Sequence, residues 1–281
     1  MTGREKRVRN VILLMMLLFT ASPNLLAETQ LEIFDGHIHY SIDMWDKLPP
    51  QQALTLMSEA GIRRALVSAS PGEGAERLYR AAPERIVPFL RPYEWPRHRY
   101  TWFKDASILN YLRNQLARIP YRGIGEFHLP GKDARLPVVT QVVKLARERD
   151  LALHAHTDEE GIQVLLEQAI DIPVIWAHGG FDVAETRLRE LLARNKHLYI
   201  ELSFREGMTE EGKLTAVWYK LMTDFHSRFL TGMDTYTPDR WVKLTELADD
   251  ARGWLQQLPA AVAHDIAYAN ANRLFDSGTI Q

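Results

Sequence analysis

The run Phe34-Asp35-Gly36-His37-Ile38-His39 places two imidazoles two residues apart at the end of an apolar segment. On an extended strand, side chains i and i+2 share a face, so His37 and His39 can grip one cation from a rigid support. Later apolar runs also end in groups able to ligate a metal: Glu126, His154 with His156, His178 and Asp234. Imidazole nitrogen together with carboxylate oxygen suits Zn²⁺ first, then Mn²⁺ or Fe²⁺, rather than Ca²⁺, which prefers oxygen alone. Such a cation lowers the pKa of bound water to about 7 and makes hydroxide available at neutral pH.

These groups need a scaffold that gathers separate strand ends at one point. Short β-rich runs occur at Leu31–Phe34, Arg64–Ser68, Ile86–Leu90, Gly123–Glu126, Leu151–His156, Pro173–Ala177, Leu198–Leu202 and Phe229–Gly232. Between them, Gln51–Ala60, Val138–Arg149, Glu160–Ala169 and Glu185–Asn195 carry apolar residues at spacings of three and four, the helical period. Eight strands alternating with helices over about 250 residues predict an α/β fold, a single-domain (β/α)₈ TIM barrel with the metal site at the C-terminal ends of the strands. A doubly wound open sheet is the alternative, but it does not readily converge eight strand ends. The segment from Arg91 to Phe103, rich in Pro, Arg and aromatic residues, is longer than a usual βα connection and is expected to wall or cover the mouth.

The chain has 281 residues, 46% hydrophobic and 25% charged, enough for a substantial core. Its formal net charge of −2 argues against a nucleic-acid partner, which normally requires a basic patch. Arg4, Lys6, Arg7 and Arg9 precede the apolar run 11–19, and Ser22-Pro23-Asn24 follows. That order matches a secretory signal peptide over residues 1–27, cut after Ala27, leaving a mature barrel of residues 28–281 with no stable membrane anchor. An uncleaved N-terminal anchor is the competing reading. There is no cysteine, so disulfides, thiolate metal sites and cysteine nucleophiles are excluded. An exported protein of the bacterial periplasm is the expectation; homo-oligomerisation stays open.

Serine-triad chemistry lacks its Gly-x-Ser-x-Gly elbow, and Ser70-Pro71-Gly72-Glu73-Gly74 lacks the lysine and spacing of a phosphate loop. The ordered set His37-x-His39, Gly125-Glu126, the fifth-strand histidines, Trp176-Ala177-His178-Gly179-Gly180, Thr231-Gly232-Met233-Asp234 and Ala269-Asn270-Ala271-Asn272-Arg273-Leu274-Phe275 resembles the amidohydrolase superfamily. The likeness covers essentially the whole mature chain, and its nearest branch is the amidohydrolase-2 group of small hydrolases and decarboxylases.

The resemblance implies that His37, His39 and Asp234 hold a first metal. It further implies that Asp234 takes the proton of the attacking water and passes it to the leaving group. Many two-metal members bridge their ions with a carboxylated lysine on the fourth strand; Lys132 comes too late for that role, and Glu126 stands in its place. Gly-Glu there is similar to the bridging glutamate of the superfamily's metal-dependent DNases. His178 and a fifth-strand histidine would hold a second metal; in one-metal members His178 only orients the water. One or two ions therefore remain open. His156-Thr157-Asp158 fits the family motif better than His154, so His156 is assigned as the ligand and His154 to a supporting or substrate contact.

Arg91 and Arg205 follow the third and seventh strands and can clamp a small anionic substrate bidentately, or close the mouth as salt bridges. His128, two residues beyond Glu126, faces either the cavity or a structural partner. Asp35 either orients His37 or binds neighbouring backbone, and Asp158-Glu159-Glu160 reads as the acidic first turn of a helix. The expected function is cleavage of an ester, lactone, amide or phosphoester bond in a small molecule. The alternatives are a single-metal non-oxidative decarboxylase and an inactive metal-binding barrel.

Overall fold

The computed structural model describes residues 30–276. The expected signal peptide lies outside them. Eight parallel strands form one sheet in sequential order: β1 (Ile33–His39), β2 (Ile62–Ala69), β3 (Ile86–Leu90), β4 (Gly123–Leu129), β5 (Ala152–Thr157), β6 (Val174–Trp176), β7 (Leu198–Glu201) and β8 (Phe229–Leu230). The last strand meets the first through two backbone bonds: Gly36 N–H donates to Thr231 O at 2.7 Å, and Asp234 N–H donates to His37 O at 2.7 Å. The architecture is the TIM barrel that the strand count predicts.

Each connection carries a helix that covers the outside of the sheet: α1 (Pro50–Glu59), α2 (Glu73–Ala81), α3 (Ile108–Gln115), α4 (Pro137–Glu148), α5 (Glu159–Gln168), α6 (Glu185–Arg194) and α7 (Ala216–Asp224). Beyond β8 come a single turn and a longer helix, α8 (Pro238–Val242) and α9 (Leu244–Leu255). Proline at the first position starts α1 and α4, where its missing N–H is no loss. Asp158 caps α5 by accepting the Gly161 N–H at 2.9 Å and also accepts Gly131 N–H at 3.0 Å, so it acts as a helix cap. In α4 the buried stripe is Val139, Val142, Val143 and Ala146, the spacing read from the sequence. Each buried valine contributes on the order of 1.5–3 kcal/mol.

Two apolar layers result. The outer one lies between strands and helices. The inner one fills the lower barrel with Phe34, Leu66, Val87, Phe89, Ala152, Ile175 and Leu230, closed by Phe275 from the final helix, Asn270–Phe275. Phe275 sits 5.5 Å from the Phe89 ring and 6.2 Å from Phe34. Gly123 makes room for this layer, because a Cβ there would lie 2.0 Å from Phe89 Cε1.

Strand irregularities aim the chemistry. Phe34 packs in the inner layer, yet Ile38, four residues on, packs in the outer one. Strict alternation would put both on one face. The register between β1 and β2 shifts between Asp35 and Ile38, which turns His37 and His39 inward. β4 repeats the device: Ile124 and Phe127 both face outward across a register shift at Gly125/Phe127, so Glu126 and His128 face inward. β5 needs no shift, as Leu153 and Ala155 point out and His154 and His156 point in.

Candidate metal centre

Four donor atoms converge where β1, β4 and the segment after β8 meet. His37 Nε2 lies 3.1 Å from His39 Nε2, 3.5 Å from Glu126 Oε2 and 3.6 Å from Asp234 Oδ1. His39 Nε2 lies 3.1 Å from Glu126 Oε2 and 3.2 Å from Asp234 Oδ1. Ligands about 2.0–2.2 Å from a tetrahedral Zn²⁺ stand about 3.3–3.6 Å from one another. These spacings fit such an ion with little rearrangement.

The hydrogen bonding behind the rings makes the same argument. Glu201 Oε2 lies 2.9 Å from His37 Nδ1, and it also accepts the His178 N–H at 3.2 Å and the Ser203 hydroxyl at 2.9 Å. Burial works against the Glu201 charge, but the adjacent His37 holds its carboxyl below the ordinary range. An ionised Glu201 only accepts, so His37 donates from Nδ1 and turns the Nε2 lone pair toward the centre. His39 is backed by Ser68, whose hydroxyl lies 2.9 Å from Nδ1. Two imidazole lone pairs and two carboxylates therefore face one another, and Asp234 Oδ1 is buried without a hydrogen-bond partner. The Arg91 guanidinium offsets part of this charge at Glu126 Oε2, and the Asp234 oxygen is left for a further cation or a proton. Burial lowers the proton affinity of His37, yet Asp234, Glu201 and Glu126 raise its pKa well above the ordinary histidine value. Asp234 is pressed upward by burial and held far below the normal carboxylate range by His37 and His39.

Glu126 has a second side. Its Oε1 lies 2.9 Å from His156 Nδ1 and 3.6 Å from His178 Nε2. His178 Nδ1 is 2.9 Å from Ser203 O, which fixes it as the donor and leaves Nε2 as the ligating atom. The two rows of histidines thus meet at one carboxylate. Burial disfavours the Glu126 charge, but His37, His156 and His178 hold its pKa well below normal. His128 stacks on His156 at 4.1 Å, and burial pushes its pKa down to about 3, so it is neutral.

Two expected substrate residues, His154 and Arg205, lie away from the cavity. His154 points inward beneath His37, with ring centroids 4.6 Å apart, but it is fully buried and does not line the cavity. Sitting two residues deeper on the strand than His156 places it about 7 Å lower. Arg205 also turns away: its guanidinium donates to Phe181 O and, at 2.6 Å, to Val183 O, pinning the loop after β6. Arg91 does reach the centre, donating to Glu126 Oε2 at 2.9 Å with His39 Nε2 equally near. Asp35 takes the backbone role: its Oδ1 accepts N–H bonds from His37 and Met233, both at 3.0 Å.

Glu201, Ser203 and Ser68 escape the sequence reading. A carboxylate inside the apolar run Leu198–Leu202 is the one visible signal for Glu201. Gly232 leaves space for it, since a Cβ there would lie 2.1 Å from Glu201 Oε1. Arg240 donates to Asp234 O at 2.7 Å and to Met233 O at 2.5 Å. It thereby holds Asp234 in a left-handed conformation, φ 45°. His178, Phe181 and Phe204 share that uncommon backbone, with φ of 59°, 60° and 53°. Such conformations persist where the surroundings over-determine them.

Above the donors opens a cavity of about 620 Å³, lined by Arg91, Arg99, His128, His156, Phe181, Phe204 and Tyr236 among others. The long connection after β3 forms part of its wall through Pro96 and Arg99, while Trp102 is buried at the rim and donates to His128 O at 2.8 Å. Trp241 is likewise buried and donates to His39 O at 2.9 Å.

No protein-family model matches the chain, and no curated protein sequence does. Solved structures do. An uncharacterised TIM-barrel protein from Bordetella bronchiseptica superposes with a TM-score of 0.64 at 14% identity, over 87% of this chain and 98% of that one. YjjV, a TatD homologue from Escherichia coli K12, gives 0.60 at 16% identity over 87% and 98%. A Xaa-Pro dipeptidase with methionine in its active site gives 0.51 at 14% identity over 86% and 74%. At these identities the likeness establishes a shared barrel.

Proposed function

We infer that the protein is a metal-dependent hydrolase of the amidohydrolase kind, acting on an ester, lactone, amide or phosphoester bond in a small molecule. One observation carries the reading: the Glu126 carboxylate turns one oxygen to His37 and His39 and the other to His156 and His178. A carboxylate so placed suits a bridge between two ions held by His37, His39 and Asp234 on one side and His156 and His178 on the other. Zn²⁺ fits this nitrogen and oxygen set best, with Mn²⁺ and Fe²⁺ next. Ions in these positions would supply hydroxide at neutral pH and polarise the bond to be cleaved.

The chain supplies the rest. Asp234, ionised well below neutral pH, accepts the proton of the attacking water and returns it to the leaving group. His178, its Nδ1 bonded to Ser203 O, would present Nε2 to the second ion. Arg91 binds an anionic part of the substrate. Metal analysis of the purified chain, together with hydrolysis of an ester, lactone, amide and phosphoester panel, tests the proposal. Full activity after complete metal removal would refute it.

A single-ion decarboxylase is the second reading, and Arg91 favours it. Its guanidinium takes the same Glu126 oxygen that would bridge, which lessens that oxygen's capacity for a metal. Carbon dioxide release from aromatic acids with one ion per chain would select this reading. We also place the protein in the periplasm; N-terminal sequencing of the exported chain, beginning at Glu28, is the check.

A further inference from the structure

The barrel mouth is divided by chemistry. The ends of β3, β4 and β5 and the loop after β3 contribute cationic and imidazole groups, Arg91, Arg99, His128 and His156. The segments after β6, β7 and β8 contribute Phe181, Phe204 and Tyr236. Among the described residues, nine large apolar side chains are exposed, and four of them, Ile42, Phe181, Phe204 and Tyr236, line this one cavity. Exposed apolar surface gathered on one side of a polar pocket marks a place where something binds.

The aromatic side is built rather than incidental. Phe181 and Phe204 both hold left-handed backbones, which bulky residues rarely adopt. The Phe181 ring lies 4.6 Å from His178 and 5.0 Å from His156, so the apolar surface begins at the second donor row. Phe204 continues it toward Tyr236, 6.1 Å away, and Arg240 supports both rings from behind, 4.2 Å from Phe204 and 5.9 Å from Tyr236. Facing this surface across the donors, Arg91 is nine-tenths buried, and its Nε has no hydrogen-bond partner.

We propose that the substrate is an aromatic or comparably flat apolar molecule bearing an anionic group, its ring packed on Phe181, Phe204 and Tyr236 and its charge met by Arg91. This deepens the hydrolase reading and rests on it for the bond that is cut. It does not need turnover to be tested.

Calorimetric titration of the zinc-loaded full chain with 1-naphthoate, acetate and neutral 1-naphthalenemethanol reads both halves of the pocket. Naphthoate is expected to bind at least tenfold tighter than either comparison ligand. Tyr236→Ala and Phe204→Leu, at exposed side chains that the fold can lose, should each weaken naphthoate about three- to tenfold and leave acetate unchanged. Equal affinity for naphthoate and acetate overturns the aromatic half, and equal affinity for naphthoate and naphthalenemethanol overturns the anionic half. Selective naphthoate binding in a chain that hydrolyses nothing would sink the hydrolase reading alone. Turnover of aliphatic and aryl acids' esters at equal kcat/KM would sink this one alone.

Discussion

The two donor sets that share Glu126 are built to different standards. His37, His39 and Asp234 are almost wholly buried, and each imidazole has a fixed partner behind it, Glu201 for His37 and Ser68 for His39. On the other side, His178 is buried and tied to Ser203 O, but the His156 side chain is 29% exposed and, among the described residues, hydrogen-bonds to Glu126 alone while its ring stacks on His128. Its stacking neighbour His128 leaves Nδ1 without a partner. Preorganised ligands lose less freedom on binding an ion, so the inner set should fill first and hold more tightly. The outer set, open to the cavity, is where exchange of ions and entry of substrate would occur.

The strongest blow to this contrast falls on Asp234. Asp234→Asn should lower turnover by about 10²–10⁴-fold with an unchanged far-ultraviolet spectrum, because it removes both a ligand and the proton acceptor. Unaltered turnover would mean that the inner set is not the reaction centre. Glu201→Gln comes next. It should weaken the tighter ion by about 10–100-fold and the weaker one less, because Glu201 meets His37 directly but reaches the other set only through the His178 N–H and Ser203. A chelator competition would show the two steps. If the weaker step moves more than the tighter one, Glu201 is not the chief support of the inner set.

His156→Ala should remove only the weaker ion, leaving one tightly held metal per chain by elemental analysis. The smallest effect is in the proton balance. Because the carboxylates raise the pKa of His37 well above the ordinary value, the metal-free ring is protonated at neutral pH. A cation must displace that proton, so loading should release protons and weaken as pH falls. Calorimetry in two buffers of different ionisation enthalpy would show the release, and identical heats would contradict it.

Much of this was legible beforehand. All eight strands and the four helices named from periodicity stand within a few residues of their expected positions, except that β1 and β4 run on past theirs. The expected β1 ends at Phe34, whereas the strand continues to His39, with Gly36 at the point where the segment following β8 closes on it. The inward turn of His37 and Glu126 depends on register shifts, which involve partner strands and leave little trace in a single sequence. Arg91 and Arg205 look alike on paper, each just past a strand. One reaches Glu126 and the other loop carbonyls, because side-chain direction beyond a strand end follows the turn. Glu201 was hidden for a related reason, since its partner His37 lies 164 residues away.

The closing seam carries a consequence for maturation. Asp35 and Met233, 198 residues apart, bond directly, and beside them the first strand's histidines meet Asp234 from the segment after β8. Until β8 docks, the pocket lacks a wall, so ion capture would come late in folding. A bound cation would then act as a clasp between the chain's two ends, adding about 2.7 kcal/mol of stability at a hundredfold excess over its Kd. Chelation would loosen this seam before any other part of the barrel.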